Sequence, residues 1–118
     1  MNESSEREPT IDPNVFFSVD LRVGTIIEAL EFPEARKPSY KLKIDFGPLG
    51  TLQSSAQLTD RYTPDALQGT QVIAVVNLGA RRIAGYKSEC LVLGLNDSQG
   101  GVIRLMPERH VPDGNRVY

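Results

Sequence analysis

Apolar and polar residues alternate strictly in two stretches of this chain. Val19, Leu21, Val23 and Thr25 are interleaved with Asp20, Arg22 and Gly24. Tyr40, Leu42, Ile44 and Phe46 are interleaved with Lys41, Lys43 and Asp45. Period two over six or more residues predicts strands with one face buried, and it sets both lysines of the second stretch on one face. Ile26-Ile27 breaks the first alternation close to Gly24, which predicts a bulge or bend. Gly47-Pro48-Leu49-Gly50 predicts a turn and Thr51–Ser55 a short returning strand. Between residues 56 and 70 the pattern changes. Asp60, Thr63, Pro64, Asp65 and Gly69 punctuate Leu58, Tyr62 and Leu67, which predicts one or two short helical turns. Gln71–Val76, Cys90–Leu95 and Val102–Met106 are apolar runs of strand length, and 77–87 is expected to be a loop. Five or six strands with a helical insert after the third predict an all-β fold, a five-stranded OB-fold Greek-key barrel.

Composition narrows the function. The chain has 118 residues, the size of one domain, with 40% hydrophobic and 24% charged residues. The expected division is a disordered acidic tail over residues 1–13 and a folded domain over 14–118. No apolar run reaches the length of a membrane span, and no signal-like start is present, so no membrane insertion and a cytoplasmic setting are expected. Cys90 is the single cysteine and His110 the single histidine. One of each cannot assemble a nitrogen and sulfur metal site. Ser54-Ser55 has no triad partner at a recognisable spacing, and no glycine-rich phosphate loop precedes a helix. An enzyme, a metal and a cofactor are therefore not expected; a binding protein is.

Charge is distributed unevenly. Net charge is −2, but four acids and one base lie within residues 1–13, leaving the rest slightly basic. Arg36, Lys37, Lys41 and Lys43 form one basic stretch, and Arg81, Arg82 and Lys87 another. Clustered cations are what a phosphate backbone senses at short range. Three segments stand out for recognition: the proline-framed loop Phe32–Pro38, the small polar run Ser54–Gln57, and the long segment Asn77–Glu89.

The segments FPEARKPSYKLKIDFG, SSAQLT, QVIAVVN, RRIAGYKSE and LVLG, in this order, closely resemble the CsaA-type, export-related chaperones of the tRNA-binding OB-fold family. The resemblance spans about residues 14–118. It implies an OB barrel with N- and C-terminal extensions that build a homodimer. It also implies binding of unfolded polypeptide or preprotein, with tRNA binding across the wider family. A primarily tRNA-binding, structure-reading protein is the alternative. Carried onto this chain, the tRNA-binding residues are Arg36, Lys37, Lys41, Lys43, Ser54, Ser55, Asn77, Arg81, Arg82, Lys87 and Ser88. The expected peptide-binding walls are Phe32, Leu78, Ile83 and Tyr86; Phe16 is expected in the core or an interface. The chain departs from the family where Leu78-Gly79-Ala80 replaces Phe-Pro-Pro after the asparagine. That exchange removes an aromatic and two stiff residues.

Overall fold

The computed structural model describes residues 6–118. The expected tail thus lies partly outside the described residues. Residues 6–12 carry no helix or strand. Helix α1 then runs Pro13–Phe17, with the Asp12 carboxylate accepting from the Asn14 N–H and Pro13 opening the first turn. The strand expected from Val19 starts later than the alternation suggests. Asp12-Pro13 is a helix-start signal, and the first strand begins only at Leu21.

Strand β1 (Leu21–Glu31) is the spine of the fold. Its first half pairs with β4 (Gln71–Val75) and its second with β2 (Tyr40–Asp45). Strand β3 (Thr51–Ala56) adds beyond β2, and β7 (Leu91–Val92) beyond β4. The order is β3-β2-β1-β4-β7, all antiparallel. The expected bulge is present. Pairing moves from Ile26↔Ile44 to Glu28↔Lys43, leaving Ile27 without a partner. Buried positions change parity there, from Ile26 to Ala29, so one long strand serves two faces of a curved sheet. Gly24 answers a different need. A Cβ at this position would stand 2.6 Å from Ile44 Cγ2 and 2.8 Å from the Phe46 ring.

The sheet curls until β3 meets the chain just before β7. The Glu89 N–H donates to the Gln53 carbonyl at 2.8 Å, and the Gln53 N–H donates to the Glu89 carboxylate at 3.0 Å. The Ser54 hydroxyl donates to the Cys90 carbonyl at 2.9 Å, and the Ser55 N–H to the Ser88 hydroxyl at 3.1 Å. The result is a nearly closed five-stranded barrel of OB type. Its core holds Ile26, Leu42, Ile44, Phe46 and Val72, all fully buried. Helix α2 (Pro64–Leu67) is the predicted insert; Thr63 caps it and Leu67 drops into the core.

Two expectations for the second half are corrected. Within the expected loop 77–87, β5 (Arg81–Ile83) and β6 (Tyr86–Ser88) form a hairpin. Its two-residue turn has φ +47° at Ala84 and +82° at Gly85, the geometry that suits a tight hairpin. Alanine in the left-handed region is uncommon, which masked the turn. The apolar run 90–95 is divided rather than continuous: β7 ends at Val92, and β8 (Gly94–Asn96) pairs with β9 (Val102–Arg104). Leu93 bridges the two, donating to the Ile73 carbonyl and accepting from the Leu105 N–H. Among the described residues no helix is long and apolar enough to cross a membrane.

Candidate nucleic-acid and peptide interface

Register dictates which side chains share the outer face of β1, β2 and β3. The rows are Leu30–Lys41–Ser55 and Glu28–Lys43–Gln53. Ser54 pairs with Leu42 and points inward, with 1% of its surface exposed and its hydroxyl committed to Cys90. The adjacent serines therefore separate: Ser55 faces outward over the groove and Ser54 closes the barrel.

Two loops rise beside this face. The loop 32–39 follows β1, and the segment 78–91 carries the hairpin. Between them runs a continuous groove. One cavity of about 300 Å³ is lined by Arg36, Lys37, Ser39, Gln57 and Arg81, among others. It shares Ser55, Gln57, Arg81 and Ile83 with a second cavity of about 400 Å³, which is walled by Leu78, Ala80, Ile83 and Leu91 and reaches Ser88 and Cys90. A further cavity extends past Arg36 toward Pro33 and Thr59.

The cations of the molecule divide by partner. Arg22, Lys43, Arg61, Lys87, Arg109 and Arg116 each have a carboxylate within 4 Å. The Lys41 ammonium stands 4.8 Å from the Phe32 ring centroid and 5.3 Å from that of Tyr86. Arg82 donates to the Gly85 carbonyl, and Arg104 stacks on Tyr62. Among the described residues, Arg36, Lys37 and Arg81 alone combine an exposed position in the folded barrel with no side-chain partner, and all three line the 300 Å³ cavity.

The structure thus brings Arg36, Lys37, Ser55 and Arg81 together with Leu78 and Ile83. It places others elsewhere. Phe32, expected as an exposed wall, is 3% exposed; it packs edge-on against Tyr86 under Lys41. Tyr86 in turn donates its hydroxyl to the Leu42 carbonyl at 3.1 Å. The pair seats the hairpin on the barrel. Asn77 accepts from the Asp20 N–H and donates to the Ser18 carbonyl, tying the N-terminal segment to the end of β4. Ser88 is buried, its oxygen receiving the Ser55 N–H. Lys43 and Lys87 face Glu28 and Glu89. Gln57 and Leu91 also line the groove; Gln57 closes a segment singled out for recognition but was not among the expected binding residues, and Leu91 was in neither. Gln57 was findable, since period two from Ser55 returns to the same face. Leu91 was not, because it lies in an unbroken apolar run, yet it is 50% exposed.

The geometry defines a class: an OB-type barrel with a cationic groove on its outer face. A family model described as a putative tRNA binding domain matches residues 21–116, and the chain belongs to that family. Among solved structures it is similar to the chaperone CsaA from Bacillus anthracis, at 47% identity and a TM-score of 0.87, covering 93% of this chain and all of that one. It is also similar to the CsaA chaperone protein of Picrophilus torridus, at 44% identity and a TM-score of 0.85, over 92% of this chain and all of that one. A methionine–tRNA ligase of Chloroherpeton thalassium is 38% identical over 101 residues, covering 86% of this chain and 14% of the ligase. One of Bacteroides fragilis is 35% identical over 102 residues, covering 86% and 15%. The chain thus spans a small fraction of the ligases that it matches.

Cys90 forms part of the groove floor and is 6% exposed. Burial pushes its thiol up to about 12, against a small opposing effect of the Ser54 hydrogen bond. The unfolded thiol ionises near the ordinary value of 9.0. Between these values the unfolded chain has lost a proton that the folded chain keeps, so rising pH favours unfolding. Burial also raises Tyr40 and Tyr86, each with a further push from nearby acids, in the same direction. Stability should be unaffected by Cys90 below pH 9 and fall progressively between pH 9 and 12. Urea midpoints across that range should fall less steeply for Cys90→Ala than for the parent. Identical pH profiles for the two proteins would contradict this assignment.

Proposed function

We propose that this chain is an RNA-binding module that holds tRNA by its phosphates along the groove between the 32–39 loop and the β5–β6 hairpin. The observation that carries this reading is the convergence of Arg36, Lys37 and Arg81, none with a protein partner, on one cavity. A cation without a carboxylate nearby is available to a phosphate without first giving up an ion pair. Membership of the tRNA-binding family supports the same ligand. Aromatic rings on the groove are few, and Phe32 and Tyr86 are engaged with each other and Lys41, so recognition rests on backbone and shape.

A second reading is a CsaA-like chaperone that holds unfolded or export-bound polypeptide. The apolar 400 Å³ cavity favours it, as does likeness to solved proteins named CsaA chaperones. Leu78 is 64% exposed there, with Gly79 beside it at φ +80°. A left-handed backbone excludes proline, so Phe-Pro-Pro cannot be restored at 78–80 without moving the loop.

The active form is a homodimer. Val15, Phe16 and Phe17 of α1 are all exposed, although a short helix is normally held by burial of one face. The C-terminal chain lies alongside. Arg116 donates to the Phe17 carbonyl at 2.6 Å, the Val117 N–H donates to Leu21, and Tyr118 is 96% exposed. Two copies packing these patches on each other would bury them.

Binding of tRNA should weaken as salt rises. Three phosphates neutralised imply a log–log slope of about −2 to −3. Replacing Arg36, Lys37 and Arg81 together by Ala should lower affinity and flatten the slope toward zero. An unchanged slope would move the site off this groove, and saturable, salt-insensitive binding of unfolded polypeptide in place of tRNA would favour the second reading. For assembly, light scattering at micromolar concentration should give twice the chain mass, and Phe16→Glu should halve it. A parent protein that scatters as a monomer ends the dimer proposal.

A further inference from the structure

We infer that the apolar cavity beside the three free cations is a receptor for one unstacked nucleobase, so that the module selects RNA with an unpaired nucleotide over continuous duplex. The inference rests on the phosphate-binding reading above and adds a ligand feature to it. The cavity is about 400 Å³, room for a base and part of its ribose. One part of its wall is aliphatic: Leu78, Ile83 and Leu91, of which Leu78 and Leu91 are at least half exposed. Aliphatic side chains left exposed around a cavity gain from covering, and a flat base face is an apolar surface that can cover them.

Polar groups stand where a base edge would need them. Ser55 and Gln57 line both cavities, and neither side chain has a hydrogen-bond partner among the described residues. A hydroxyl and a carboxamide together offer donors and acceptors, which suits the mixed edge of a base. Arg81 also lines both cavities and joins Arg36 and Lys37 in the smaller one. The two adjoining cavities thus bring anion-binding, hydrogen-bonding and apolar groups together, the three kinds of group that a phosphate, a base edge and a base face require. Three unpaired cations on so short a span also match a phosphodiester chain better than a polypeptide, which would need clustered acids. A base still paired and stacked in a duplex cannot enter; a looped-out or single-stranded one can.

The test compares three ligands of equal length, with affinities expressed per phosphate because the second has two backbones: a single-stranded ten-residue RNA, that strand annealed to its complement, and an abasic ten-residue ribose-phosphate chain. Fluorescence anisotropy should show the single strand binding about tenfold more tightly than the abasic chain, the gain expected from covering roughly 50 Å² of aliphatic surface. The duplex should follow the abasic chain. A Leu78→Ser, Leu91→Ser double variant should erase the margin while the salt slope of all three ligands persists. Both residues are substantially exposed, so their replacement leaves the barrel core intact. Equal affinity for all three ligands with a normal salt slope overturns the base receptor and leaves the phosphate reading standing. No binding of any of the three by the parent overturns both. If the double variant leaves RNA unaffected and instead weakens binding of an unfolded polypeptide, the cavity is a peptide subsite and the inference falls.

Discussion

Everything on the binding face depends on the seam where β3 meets residues 87–90. The sheet has only five strands, and without closure both β3 and β7 would be free edges open to foreign pairing. Closure uses alternate residues for different ends. Gln53 and Glu89 exchange hydrogen bonds, Ser54 reaches inward to Cys90, and Ser88 receives the Ser55 N–H. The same contacts hold the base of the β5–β6 hairpin, whose tip is held by Tyr86 against Phe32 and Leu42. With base and tip both fixed, Arg81 and Ile83 stand at the groove rather than in solvent.

Pairing of charges follows from that placement. Lys43 and Lys87 lie beside acids carried on neighbouring positions of the barrel. Lys41 lies over two rings. Arg36 and Lys37 sit on a loop framed by prolines at 33 and 38, and Arg81 opens the hairpin; among the described residues none of the three has a carboxylate within 4 Å, although Glu34 shares the loop. A chain with net charge −2 can in this way offer a locally cationic site, because these three bases are not held in ion pairs by its acids. Local availability of cations, not their total, is the quantity that matters for an anionic ligand.

Period-two patterning made the barrel legible. Strands β1 and β2, the bulge after Ile26, the insert carrying Leu67 and the face shared by Lys41 and Lys43 all follow from alternation and turn chemistry. Less legible were features with no local signal. Ala84 adopts a left-handed turn that glycine or asparagine would have advertised. Leu93 joins two short strands inside a uniform apolar run. The candidate site was readable as a set of residue types and less so as a set of partners. Ser54, Ser88 and Asn77 are polar and suited to a ligand in sequence, yet each is engaged in long-range hydrogen bonds within the barrel. Phe32 reads as a loop aromatic, but it is buried because a residue fifty-four positions later folds over it. Burial by a distant hairpin leaves no trace in the neighbouring sequence.

Backbone amide shifts recorded while tRNA is titrated into the protein test the central claim most directly. The groove reading predicts perturbations concentrated at residues 35–39, 55–57 and 78–83, fading as salt is raised. Perturbations confined instead to Lys43, Lys87 and Arg82, or to α1 and the C-terminal chain, with the groove amides unmoved, would contradict it.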